Sequence, residues 1–274
     1  MKSKRKQAII KRNIFLSICG LVLVLFVALI VFIISAVTQN PQENNSSSEN
    51  ILSIESSSSE ITSSEEEPEV SGPEMVERGE FTLDANYSNL LLVNGKNPLP
   101  DDYDYEGNLT TIPQKYIKGS LTQFDKDAWP YLQAMLDNAR KEGIDIGVWS
   151  PYRSYATQKW LFEKQVKKQI NNGVPEAEAE DKAATIVARP GTSEHNTGLA
   201  LDINCADHSF KETKAYKWLL ENAQDYGFIL RYAEDKQEIT GVIYESWHWR
   251  FVGIKVAKEI NDSGLCLEEY IEKQ

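Results

Sequence analysis

Cysteine is scarce in this chain: three residues in 274, at Cys19, Cys205 and Cys266, too few for a disulfide scaffold. Histidine is equally sparse, with three residues, His195, His208 and His248. There is no glycine-rich phosphate loop and no internal repeat, so neither a nucleotide cradle of that kind nor a repeat array is encoded. Acidic residues are missing from residues 1–13, which carry Lys2, Lys4, Arg5, Lys6, Lys11 and Arg12. Basic excess is missing everywhere else. Residues 38–80 hold eleven Glu and one Arg, and residues 81–274 hold 22 Lys and Arg against 30 Asp and Glu. A domain of that charge is a poor partner for nucleic acid, whose phosphates require a basic face.

The chain does contain one long uncharged run, Ile14 to Val37, of 24 residues. As a helix it would be about 36 Å long, enough for a bilayer core of about 30 Å. A cleaved signal peptide has a shorter apolar region of about 7–15 residues, and Ser35, Ala36 and Val37 make a poor cleavage site. A lipoprotein signal needs its cysteine after the run, whereas Cys19 lies near its start and follows Ile18. Length therefore favours an uncleaved membrane anchor at 14–37. The basic residues at 1–13 would be cytoplasmic and everything after Val37 extracytoplasmic. Residues 38–80, rich in Ser, Glu and Asn, have too little apolar surface to offset ordering entropy and read as a disordered tether. The folded domain is expected over 81–274.

Within that domain, apolar residues recur at helical spacing from Asp127 to Arg140, with Gly143 as a stop. Ile144, Ile146 and Val148 alternate as in a strand. Ser154 is a candidate N-cap for a helix to about Ile170, and Pro175 opens another reaching Ala188. Leu199, Leu201 and Ile203 alternate, which places Ala200 and Asp202 on the opposite face of a strand. A helix is expected over Lys211 to Tyr226, ended by Gly227. Strands follow at Phe228 to Arg231 and Gly241 to Tyr244, and a last helix runs from Ile254 to Ser263. Helices and strands mix without a strict alternating rhythm, which favours an α+β domain.

Two of the three histidines lie in segments that suit a metal. One is Ser193-Glu194-His195, with Asp202 seven residues after the histidine; the other is Glu245-Ser246-Trp247-His248. Catalytic zinc takes three protein ligands and keeps a position for water, whose pKa falls to about 7. His195, Asp202 and His248 supply two imidazoles and a carboxylate. Glu245, three residues before His248, can serve as general base if both side chains reach one side. Spacing alone leaves open the alternative that these are unrelated surface residues.

The two segments resemble the signatures of the VanY-type zinc peptidases, the D-alanyl-D-alanine and L,D-carboxypeptidases of bacterial cell walls. An upstream element of that family, Ser-x-x-Arg with Gln five residues after the Arg, is matched by Ser150, Arg153 and Gln158. The resemblance covers about Ala128 to Val252, with three motifs in order and no departure at a chemical position. It implies a small antiparallel sheet flanked by helices, the fold shared with the Hedgehog signalling domain. It implies Zn2+ held by His195, Asp202 and His248, Glu245 as base and Arg153 as the partner of the oxyanion. Ser193 and Gln158 match positions that contact the peptide. The implied substrate is the peptidoglycan stem peptide, cut at its C-terminal D-alanine with D,D or L,D specificity. An endopeptidase on the same zinc site, or a non-catalytic cell-wall-binding module of the same fold, are the alternatives.

Other residues carry less. His208 has no partner motif and reads as a surface residue. Glu194 is either an orienting partner of a ligand or a solvated carboxylate. Trp247 and Trp249 should face opposite sides. Tyr152 and Tyr155 flank Arg153 and are candidates for the cleft wall, and Arg189 reads as an exposed loop charge near it. Cys205 and Cys266 would share an oxidising compartment, where a disulfide is chemically allowed.

Overall fold

The computed structural model describes residues 73–104 and 106–274. The basic tail at 1–13, the apolar run at 14–37 and most of the tether expected over 38–80 lie outside the described residues. Among the described residues no helix is long and apolar enough to cross a membrane. The folded part starts before residue 81: β1 (Met75–Arg78) pairs antiparallel with β2 (Phe81–Asp84) across a turn at Gly79. Residues 75–80, expected to belong to the tether, are thus part of the fold, and Val76 packs on the core although its neighbours are polar.

Beyond it, β3 (Leu109–Thr111) and β4 (Gln123–Asp125) make a second two-stranded ribbon. The helix α1 (Trp129–Lys141) follows, with Pro130 in its first turn, where a missing N–H costs nothing. It buries Leu132, Met135, Leu136 and Ala139 at the expected spacing. The third sheet carries the site. Its order is β5-β6-β8-β7, all antiparallel, with β5 (Val148–Ser150), β6 (Ala200–Ile203), β7 (Phe228–Leu230) and β8 (His248–Phe251). Alternation along these strands sends Leu201, Ile203, Trp249 and Phe251 into the same core as α1. A small antiparallel sheet flanked by helices is thus the observed architecture.

Helix α2 (Tyr155–Asn171) begins where the sequence places it, since the Ser154 hydroxyl accepts from the Thr157 N–H at 3.2 Å. Ser154→Ala should lower stability by about 1 kcal/mol in urea titration, because one helix-end N–H loses its acceptor. Helix α3 (Glu176–Ala184) stops four residues short of the expected Ala188. Both Ile186 and Val187 N–H groups turn back onto the Ala183 carbonyl.

Three expectations need correction. The single helix expected over Lys211 to Tyr226 is broken into a 3-10 turn (His208–Glu212), α4 (Lys214–Asn222) and a second 3-10 turn (Ala223–Tyr226). Thr213 is extended and caps α4 with its own hydroxyl, which restarts the helix. Gly241 to Tyr244 is no strand. Gly241 ends the short α5 (Gln237–Thr240) at φ +73, and the Ile243 N–H bonds to the Thr185 carbonyl rather than to a strand neighbour. Of Ile144, Ile146 and Val148 only the last is in the sheet; the Ile144 N–H closes the end of α1 on the Ala139 carbonyl. The last elements, α6 (Ile254–Ser263) and α7 (Leu267–Glu272), form a satellite cluster with Ile229 and Val252. Cys205 and Cys266 are both free thiols.

Candidate metal centre

The register of the main sheet sets the site. Asp202 on β6 stands directly opposite His248 on β8, and Ser150 on β5 stands opposite Asp202. Facing residues on neighbouring antiparallel strands point to the same side, so three strands present Ser150, Asp202 and His248 in one row. The third ligand candidate, His195, comes from a 3-10 turn (Glu194–Thr197) that ends at Gly198 in the left-handed region, φ +77. A Cβ there would lie 2.7 Å from a Leu109 methyl and 3.0 Å from the Asp125 nitrogen, so only glycine lets the turn run straight into β6. That turn and strand account for the seven-residue step from His195 to Asp202.

The ligand atoms converge. His195 Nε2 is 3.4 Å from Asp202 Oδ1, and His248 Nδ1 is 3.6 Å from the same oxygen. Ligands of a tetrahedral zinc at about 2.0–2.1 Å stand about 3.3 Å apart, so the spacing suits that ion. His195 Nδ1 is 2.8 Å from the Pro151 carbonyl, which can only accept; the ring therefore carries its proton there and turns a lone pair inward. His195 Nε2 and Asp202 Oδ1 are buried with no hydrogen-bond partner, and both face the same point. Buried polar atoms are rarely left so, and a cation among them resolves the deficit. The three residues, 2%, 1% and 4% exposed, fit a divalent metal.

Glu245 is brought back by a turn in which the His248 N–H donates to the Glu245 carbonyl at 3.2 Å. Its Oε2 then lies 3.3 Å from His248 Nδ1, on the metal side of that ring. Burial raises the Glu245 carboxyl above its ordinary pKa, against the pull of His248. Such a carboxylate is a stronger proton acceptor than a solvated one. Burial and the Arg153 charge lower His195 to about 4, so it is neutral, as a ligand must be. Burial opposes a charge on His248 as well, but Glu194, Glu245 and Asp202 around it raise it to about 9, so a metal binding at this ring would release its proton. Asp202, despite burial, is held below the usual carboxylate range by His195 and Arg153.

Arg153 is ion-paired with Asp202 and donates from Nε to the Ser150 hydroxyl at 2.8 Å. Its backbone is laced to the histidine turn: Arg153 N–H to the His195 carbonyl, and Asn196 Nδ2 to the Arg153 carbonyl at 2.7 Å. The metal group opens on a cleft of about 370 Å3, lined also by Arg153, Gln158, Ser193, Glu245, Trp247 and Tyr232. All seven residues expected at the site are thus brought to one cleft. Gln158 donates to the Ala188 carbonyl at 2.7 Å. Trp247 and Trp249 do not face opposite sides: residues two apart along a strand share a face, and both belong to the main core, with Trp247, just before β8, also bordering the cleft. His208, exposed and 5.0 Å from the Trp247 ring, lies at the rim and outside the ligand group. Tyr152 is buried and Tyr155 exposed, and neither is in the cleft lining. Arg189 pairs with Asp181 at 2.7 Å.

Sequence reasoning left Glu194 open between an orienting partner and a solvated carboxylate, and missed the Arg231, Arg250 and Glu268 group behind it. Glu194, 1% exposed, lies 3.7 Å from His248 Nε2, the nitrogen turned away from the metal side. Arg231 Nε donates to Glu194 at 2.7 Å, and its other two nitrogens grip Glu268 at 2.8 and 2.6 Å. Arg250 adds a contact to Glu194 at 3.0 Å. Burial alone would raise the Glu194 carboxyl, but Arg231 and Arg250 hold it well below its usual range. At 3.7 Å this carboxylate acts on the ligand imidazole by charge, from the side away from the metal. For the two arginines and Glu268 the sequence offered no signal beyond an arginine at the end of an apolar strand, Arg231.

A family model for VanY, D-alanyl-D-alanine carboxypeptidase, matches residues 121–254. A D-alanyl-D-alanine carboxypeptidase of Enterococcus faecalis is 42% identical over 185 residues, covering 68% of this chain and 66% of that one. A solved structure of the vancomycin resistance D,D-pentapeptidase VanY, a variant in complex with Zn(II), is 43% identical with TM-score 0.58. The match covers 66% of this chain and 98% of that one. The LD-carboxypeptidase LdcB is 38% identical with TM-score 0.58, covering 73% of this chain and 94% of that one.

Proposed function

Because the chain belongs to the VanY D-alanyl-D-alanine carboxypeptidase family, we propose that it is a zinc carboxypeptidase that removes the C-terminal D-alanine from peptidoglycan stem peptides. The observation that carries this is the pair of partnerless ligand atoms, His195 Nε2 and Asp202 Oδ1, with the raised carboxylate of Glu245 beside the third ligand. Zn2+ held by His195, Asp202 and His248 supplies Lewis acidity toward a water and the scissile carbonyl. Glu245 takes a proton from the attacking water and returns it to the leaving amine. Arg153, fixed from two sides, sets its guanidinium where the carbonyl oxygen becomes negative. Ser193 and Gln158 line the cleft as contacts for the peptide.

Residues 14–37 act in this reading as a single uncleaved anchor. The support is their 24 uncharged residues after six basic ones, and the outcome is a catalytic domain facing the cell wall. The full chain, loaded with zinc and given pentapeptide and tetrapeptide muropeptides, should release D-alanine, read by mass spectrometry. Loss from the pentapeptide marks D,D specificity, and loss from the tetrapeptide marks L,D specificity. Absence of D-alanine from both substrates would remove the reading.

A further inference from the structure

The chain has six tryptophans. Four are packed, wholly or partly, in the core; Trp149 and Trp160 remain 42% and 58% exposed. Both border one cavity of about 590 Å3, a volume within the ~300–1,000 Å3 of small-molecule sites. Arg153, Leu161, Asp202 and Ala206 line this cavity and the metal cleft alike, so the two are continuous. Large exposed aromatic faces mark interaction sites when they gather in one place, and here they gather beside the chemistry.

We propose that this groove is a saccharide subsite, which seats a pyranose of the glycan strand to which the stem peptide is joined. The proposal rests on the peptidase reading above, which supplies the substrate to which the groove is continuous. The lining suits that ligand. A pyranose has flat C–H faces and a rim of hydroxyls. The groove offers the indole faces of Trp149 and Trp160, and around them Lys118, Ser120, Ser150 and Thr157. Indole is a broad apolar surface with one donor, which favours a ring that is itself half apolar. The walls stand on regular elements. Trp149 sits on β5 and Trp160 on α2. The Lys164 ammonium lies 4.9 Å from the Trp160 ring centroid. The loop opposite is latched to β5, with the Lys118 and Gly119 N–H groups both donating to the Val148 carbonyl, at 2.8 and 3.2 Å. A Cβ on Gly119 would fall 1.8 Å from the Trp149 carbonyl oxygen, so the loop can lie this close only without a side chain there.

The test compares a disaccharide-linked stem peptide with the same peptide lacking sugar, using the full zinc-loaded chain. The sugar should lower KM about tenfold in the wild type, a modest stacking contribution. Trp149→Ala with Trp160→Ala should raise KM about tenfold for the linked substrate, leave its kcat in place, and leave the free peptide's KM unchanged. An equal rise with both substrates, or no rise with either, overturns the proposal. A second arm needs no turnover: the disaccharide N-acetylglucosaminyl-N-acetylmuramic acid is titrated calorimetrically into the wild type and the double variant. Binding lost in the variant supports the groove, and no binding to the wild type sinks it. If neither peptide is cleaved, the peptidase reading fails while the titration still decides the groove.

Discussion

Glu245→Gln should cut kcat for D-alanine release by about 10²–10⁴-fold, the usual worth of a positioned general base. The amide keeps the volume of the buried side chain and loses the ability to take a proton. The zinc content should stay at the wild-type level, measured by elemental analysis, because His195, Asp202 and His248 are untouched. Chelation of the wild type should abolish release and added zinc should restore it, whereas zinc should restore nothing to the variant. A variant that keeps its metal and loses less than tenfold would take the base role away from Glu245. A variant that loses its metal would make Glu245 a part of the binding site, which its 3.3 Å approach to His248 would then explain.

Arg231→Met should lower unfolding free energy by about 3–5 kcal/mol, measured in urea, since it leaves buried carboxylates without their counter-charge. Arg231 is 1% exposed and holds Glu194 and Glu268 with three of its nitrogens. Replacing Glu268 by Leu as well should cost less than the sum of the two single changes, because the orphaned charge goes with it. The same variant should lose zinc affinity by about 10–100-fold, as expected when the group behind a ligand is disturbed. Acid titration gives a further reading. Glu194 and Glu268 are both held below their ordinary 4.5. Depressed carboxyls lend stability that is fully present above about pH 4.5 and is withdrawn as pH falls through their folded pKa. The wild type should therefore lose stability in that acid range, and Arg231→Met should lose less of it.

The sequence was most legible where a local rule and the tertiary structure agree. Ser154 caps α2 and Gly264 closes α6 at the places their types require. The alternation of Leu201 with Asp202 foretold which face of β6 would hold the ligand. Four of the seven site residues, His195, Asp202, His248 and Glu245, were candidates from donor chemistry and spacing, which alone left a surface reading open; Arg153, Ser193 and Gln158 were legible only through the resemblance to the VanY-type peptidases. What failed to read were one local cap and several features decided by remote partners. Thr213 interrupts a helix because its own hydroxyl offers the backbone a second start. In Gly241 to Tyr244 the Ile243 N–H bonds to the Thr185 carbonyl just past α3, and no periodicity encodes that. Arg231, Arg250 and Glu268 come together from three separate elements, so their union exists only after folding. Glu194 stood next to a ligand, where an orienting partner and a solvated carboxylate were equally open readings, and the two buried arginines around it decide against the solvated one.

The row formed by Ser150, Asp202 and His248 separates what natural variation can alter from what it cannot. Loops around the cleft can lengthen or change composition and so remake its specificity, since they hang from the sheet without setting its register. The stretch from Gly198 to Asp202 has no such freedom. Because side chains on a strand alternate, one inserted residue there would swing Leu201 into the cleft and bury Asp202 among Trp249 and Phe251. The spacing between ligand histidine and ligand aspartate is therefore a parity rule. Single insertions and deletions in that stretch should be silent nowhere, while those in the neighbouring loops are the raw material for new substrates.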